Sequence, residues 1–125
     1  MDKSPALSVN LSNVEDALVT ELNITREEAK AFLQIVTQGS MPAKSIAKSL
    51  DCKEEEAKLL ASSLVDRGMV IEIGAEKYES LHPRFAITNR YRRRCQEEGM
   101  QFKKNLKIDN IGIVLEKPYE DARTK

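Results

Sequence analysis

Between residues 29 and 64 the chain sets four apolar side chains at i, i+3, i+4 and i+7 three times over. The groups are Ala29, Phe32, Leu33 and Val36; Ala43, Ile46, Ala47 and Leu50; and Ala57, Leu60, Ala61 and Leu64. That spacing gathers each group on one face of a helix. The segments are short, broken at Gly39, at Asp51-Cys52 and at Gly68. Helices of that length are marginal alone in water, so the three stripes must bury each other, with the small alanines at the crossings. Local signals fit the breaks. Thr25-Arg26-Glu27-Glu28 is a capping box, in which side chain and backbone satisfy each other's free groups. Pro42 suits a first helical turn, and Asp51 with Glu54 reads as the cap of the third helix. Gly39 and Gly68 suit helix ends, where glycine tolerates left-handed backbone.

The period then changes. Met69 to Ile73 is rich in β-branched residues, Gly74-Ala75-Glu76 is a turn, and Lys77 to Leu81 returns, which predicts a β-hairpin. His82-Pro83 opens another helix, running from Arg84 to about Lys104, with Gly99 weakening it by ~1 kcal/mol. Upstream, Ser12 and Glu15 suggest a second capping box. Leu11, Val14, Leu18 and Leu22 predict a helix over 12–22. The run Ile111-Gly112-Ile113-Val114-Leu115 reads as a short strand or a strip that packs on a partner. Three short helices followed at once by a hairpin is the plan of a winged helix-turn-helix. The expected fold is mainly α with a small β-hairpin wing and flanking N- and C-terminal helices. The expected organisation is a flexible tail over 1–10, the winged domain with its N-terminal helix over 11–83, a basic dimerising helix over 84–107, and a C-terminal tail or short strand over 108–125.

A chain of 125 residues, 41% hydrophobic, suits one modest core. No stretch approaches the ~18–20 apolar residues of a membrane span, and Met1 to Asn10 does not read as a signal peptide. Cys52 and Cys95 make no disulfide framework and read as free thiols of a reducing cytoplasm. One histidine, His82, reads as a turn residue rather than a metal ligand, and no catalytic triad, glycine-rich phosphate loop or metal-spaced cluster is visible. The expectation is therefore a protein that is not an enzyme and uses no cofactor or metal. The net charge of zero conceals a segregation. Residues 1–80 carry 9 basic and 14 acidic side chains, residues 81–107 carry 8 and 2, and residues 108–125 carry 3 and 4. A polar distribution of this kind binds anions locally.

From Leu22 to Pro83 the chain resembles the winged-helix domain of the TrmB-like archaeal transcription regulators. The resemblance rests on Leu22, Thr25, Glu28 and Ala29 at the first helix, and on Ala43 to Ala47 in the second. Leu64, Gly68, Met69 and Val70 follow the third, and Tyr78 and Pro83 close the wing. The chain is too short for the C-terminal sugar-binding domain of larger members and resembles the stand-alone type. The resemblance implies double-stranded DNA as the partner, a homodimer, and a cytoplasmic, nucleoid-associated regulator. It implies that the helix from Lys53 to Arg67 enters the major groove.

The outward face of that helix would carry Glu54, Glu55, Lys58 and Ser62, with Lys44, Ser45 and Lys48 before it and Lys77 on the wing. Glutamates can accept from cytosine amino groups, yet they repel phosphates, so an alternative stays open: a winged helix that docks a basic protein of the transcription machinery. Arg84, Arg90, Arg92, Arg93 and Arg94 are either a phosphate-contacting edge or a solvated face that pairs with the acidic half of the chain or of a second subunit. The stripe Ile87, Tyr91, Cys95 and Phe102, with Leu11, Val14 and Leu18, is either a dimer seam or a surface folded back on the domain's own core.

Overall fold

A computed structural model describes residues 10–74 and 76–124. Its order is α1 (Val14–Leu22), α2 (Arg26–Gln38), β1 (Met41–Pro42), α3 (Ala43–Leu50), α4 (Glu54–Asp66), β2 (Val70–Ile73), β3 (Lys77–Ser80), α5 (Pro83–Glu97) and α6 (Leu106–Asp121). The three stripes meet as their spacing requires: Ala29, Phe32, Ile46, Ala57, Ala61 and Leu64 are all fully buried. The hairpin follows, and β3 also pairs with β1, giving an antiparallel sheet in the order β1-β3-β2 with Met41 opposite Tyr78 and Val70 opposite Ser80. The fold is a winged helix-turn-helix, mostly helical, with a three-stranded sheet. The strand at Met41–Pro42 escapes a reading of sequence because two residues carry no period.

Caps decide the helix boundaries. The Thr25 box is complete: Thr25 Oγ1 accepts from the Glu28 N–H at 3.0 Å, and Glu28 accepts from the Thr25 N–H at 2.8 Å. The other two expected caps are corrected. The first residue before α1 is Asn13, with no side-chain cap bond; Ser12 instead donates its N–H to Asn10 Oδ1 in the preceding turn. Asp51 ends α3 in left-handed backbone, φ 56°, and α4 is preceded by Lys53, whose N–H donates to Glu56 Oε1 at 3.0 Å. A polar residue with a short side chain tolerates the left-handed conformation, and here that use wins over capping the next helix.

Two further expectations change. α5 stops at Glu97 rather than near Lys104. Gly99 takes φ 66°, the Met100 N–H donates to Cys95 O at 2.8 Å and the Gly99 N–H to Gln96 O at 3.4 Å. This is the paired-bond helix stop that favours glycine. The tail or strand expected over 108–125 is the helix α6. Asn105 Oδ1 caps it by accepting from the Lys107 and Ile108 N–H groups at 2.9 and 3.3 Å. Ile108, Ile111 and Leu115 are buried. A Cβ on Gly112 would lie 3.3 Å from Arg84 Cα, so the missing side chain lets α6 lie close against α5. Packing overrides the strand preference of the isoleucines and valine.

Of the seven residues expected in a dimer seam, Val14, Leu18, Ile87, Tyr91 and Cys95 are buried inside this chain. They fold back on the domain's own core, and the correction follows from α6, which α5 and α1 both contact. Leu11 and Phe102 stay exposed.

Candidate nucleic-acid interface

α3 and α4 form the helix-turn-helix, with the hairpin beside α4. Burying Ala57, Ala61 and Leu64 fixes the rotation of α4 and leaves Glu54, Glu55, Lys58 and Ser62 exposed. On α3, Lys44 and Lys48 are exposed and Ser45 is half-buried; on the hairpin, Lys77, Glu72 and Glu76 are exposed. Lys58 Nζ lies 3.5 Å from Glu76 Oε1, a bridge from α4 to the wing. Lys44, Lys48 and Lys77 make no ion pair with any described residue. The exposed lysines of this face are thus matched by Glu54, Glu55, Glu72 and Glu76, and its net charge is close to neutral.

The arginine run does not join that face as a block. Arg90 is 1% exposed. Its Nε donates to Leu22 O at 2.9 Å and its Nη2 to Asn23 O at 3.2 Å, while Nη1 meets both Glu97 oxygens at 3.1 and 3.2 Å. Arg94 donates to Thr20 O and Glu21 O at 3.2 and 2.6 Å and to Glu98 Oε2 at 2.9 Å. Together they satisfy the carbonyls left free where α1 ends. Arg93 donates to Asp66 O, the last residue of α4. Arg90 is thereby corrected from a phosphate ligand to a buried structural cation; Arg93, itself exposed, turns Nη1 onto a backbone carbonyl, and Arg94 divides its donors between carbonyls and Glu98. Arg92 is exposed and lies over the Phe102 ring at 4.7 Å; Arg84 is exposed and 3.5 Å from Glu116.

Sequence reasoning missed two residues that hold the frame. Arg123 donates to Ile35 O and Val36 O at 2.9 and 2.8 Å and pairs with Glu79, tying α6 to the end of α2 and to the sheet. Glu28 does more than cap: 4% exposed, it also accepts from Ser63 Oγ, and from Arg67 Nε at 3.1 Å, locking α2 to α4. Burial pushes the Glu28 carboxyl up, but the bonds from Ser63, the Thr25 N–H and Arg67 outweigh it and hold the group below its ordinary range. The short Thr-x-x-Glu motif disclosed the cap; nothing local disclosed partners 35 and 39 residues away.

The remaining reactive side chains do no visible chemistry. Burial, then the charges of Glu56 and Asp51, push the Cys52 thiol up, away from the reactive thiolate, and Cys95 is buried. His82 Nδ1 accepts from the Arg84 N–H at 3.2 Å, capping α5. Among the described residues no group of three or more His, Cys, Asp or Glu side chains is placed to hold a metal, and no helix is long and apolar enough to cross a membrane.

Set against known proteins, residues 18–91, more than half of the chain, match the family model described as sugar-specific transcriptional regulator TrmB. No curated protein and no solved structure matches.

Proposed function

The chain belongs to the TrmB family of transcriptional regulators, and from that premise we propose that it regulates transcription by laying α4 in the major groove of duplex DNA. The observation that carries the reading is the open outer face of the helix-turn-helix, where Lys44, Lys48 and Lys77 are exposed with no ion pair among the described residues. These three meet phosphates, with Ser45. Lys58, Ser62, Glu54 and Glu55 face the bases, the glutamates accepting from cytosine amino groups. Because the face is nearly neutral and offers few phosphate contacts, affinity is modest and falls with salt less steeply than that of a strongly basic domain. Arg84 and Arg92 add charge only where the DNA path reaches them.

The regulator acts as a homodimer, as half-site recognition by this fold favours. Its apolar candidates are now Leu11, Phe85, Phe102, Leu106 and Ile113, which stand 42–68% exposed; Leu106 and Ile113 share one face of α6. The DNA reading carries with it a cytoplasmic, nucleoid-associated location.

A fluorescence-anisotropy titration on duplex DNA tests this. The Lys44→Ala/Lys48→Ala/Lys77→Ala variant loses three phosphate contacts, so the slope of log K against log salt becomes shallower by about 2.7. No binding to any duplex at ~50 mM salt overturns the reading and leaves the protein-docking winged helix in its place.

A further inference from the structure

Between α2 and α4 lies a cleft of about 490 Å³, lined by Leu50, Cys52, Leu59 and Leu60 together with Glu27, Lys30 and Glu56. A second depression of about 340 Å³ shares Lys30 and Leu50 with it and runs on to Leu33 and Asp51. The two adjoin at Lys30 and Leu50 and are treated together as one groove. Its apolar part has an outer wall that the fold does not need: Leu59 is 72% exposed, the most exposed large hydrophobic side chain among the described residues. A leucine held that far in water on a rigid helix, beside half-buried Leu33, Leu50 and Leu60, makes a contiguous apolar strip of the sort that marks a docking surface.

The charge around the strip is mainly negative. Glu27, Asp51 and Glu56 make no ion pair with any described residue, whereas the buried Glu28 is neutralised by Arg67. Lys30 is the one cation that lines the groove. Burial pushes the Cys52 thiol up first, and the nearby charges of Glu56 and Asp51 push it further in the same direction. Such carboxylates repel nucleic acid. The groove also opens on a different side of α4 from the wing: Lys58 bridges to Glu76, and Glu56, Leu59 and Ser63 stand about 100–160° from Lys58 around the helix axis.

We propose that this groove docks an amphipathic, basic helix of a partner protein. Large apolar side chains of the partner, spaced i, i+3 or i+4, and i+7, lie along Leu33, Leu50, Leu59 and Leu60, the helix-in-groove mode of recognition. Lysines or arginines beside them face Glu27, Asp51 and Glu56. The site is separate from the lysines of α3 and the wing, so it holds whether or not those lysines bind DNA.

The test is selection of displayed random 12-residue peptides on the full chain, with counter-selection on Leu59→Glu. Leu59 is exposed, so that variant keeps its fold, which circular dichroism verifies. The expected winners carry net positive charge and large apolar residues at helical spacing. They bind Leu59→Glu at least tenfold more weakly. They bind Glu27→Gln/Glu56→Gln several-fold more weakly with a flatter salt dependence; the amide oxygen introduced at position 56 still accepts the Lys53 N–H, so α4 stays capped. No peptide enriched over the Leu59→Glu surface, winners that are acidic, or winners that bind all three proteins equally overturns the proposal.

Discussion

Truncating Arg90 separates a structural arginine from a DNA-binding one. In Arg90→Ala the buried Leu22 carbonyl loses a charged donor at 2.9 Å. A buried acceptor left without a partner costs about 1–3 kcal/mol. Asn23 is exposed and the Glu97 side chain is 56% exposed, so water replaces the guanidinium at both and little is lost there. The arginine stem is 1% exposed, and deleting it opens a void between α1 and α5, which costs on the order of another 2 kcal/mol. The expected total is about 3–5 kcal/mol, a large fraction of the roughly 5–15 kcal/mol stability of an ordinary domain. Arg90→Lys keeps the stem and the charge but not the forked donors, and is expected to cost about 1–3 kcal/mol. Urea unfolding followed by circular dichroism reads both as a fall in midpoint at constant slope. Arg92→Ala, which gives up only an exposed contact with Phe102, is expected to cost no more than about 1 kcal/mol. An Arg90→Ala protein as stable as its parent, with a DNA salt dependence shallower by about one, would refute this reasoning and return Arg90 to the phosphate-contacting set.

Two further outcomes follow from single carboxylates. Glu28 is held below its ordinary range when folded, so its ion contributes stability above the unfolded value of about 4.3, and that contribution disappears as pH falls through the lower folded value. Glu28→Gln is expected to lose about 2 kcal/mol at neutral pH and to flatten the stability curve below about pH 5, measured by urea unfolding at several pH values; a curve parallel to that of the parent counts against the lock between α2 and α4. Glu76→Gln releases Lys58 from its 3.5 Å bridge to the wing and removes a negative charge from the proposed DNA face. An exposed pair of this kind is worth about 0.2–1 kcal/mol, so DNA affinity should rise by up to about fivefold at low salt; an unchanged affinity in the anisotropy titration would show that Lys58 does not face the duplex.

What was legible in the sequence is what is decided locally. The stripes from Ala29 to Leu64, the Thr25 box, the glycine stops and the hairpin depend on neighbours a few residues away, and they specify the winged core together with the exposed positions of α3, α4 and the wing. α6 was hidden because its local signals vote against it: Ile111, Ile113 and Val114 favour strands, Gly112 and Pro118 disfavour helices, and only the surface of α5 reverses the vote. The seam residues were hidden for the same reason. A stripe such as Ile87, Tyr91 and Cys95 states that it must be covered, and without α6 the cover looks like a second subunit.

The arginines carry the same lesson in electrostatic form. Their partners Leu22, Glu21 and Asp66 lie 68, 73 and 27 residues away in the chain, beyond any motif. One signal was nevertheless present. α1, α2 and α4 have no basic residue in their last turns, whereas α3 has Lys48. Each helix ends in free carbonyls and a partial negative charge, and these three ends have no local cation turned to them: α1 and α2 carry none in the last turn, and Arg67 at the end of α4 is turned to Glu28. Those three receive guanidinium groups from a distance: α1 from Arg90 and Arg94, α4 from Arg93, α2 from Arg123. Three arginines of the basic stretch after the wing, together with Arg123, therefore counter the dipoles of the winged core. In the proposed reading DNA attraction rests on the lysines of α3 and the wing, which is why their removal, rather than that of the arginines, is the decisive measurement.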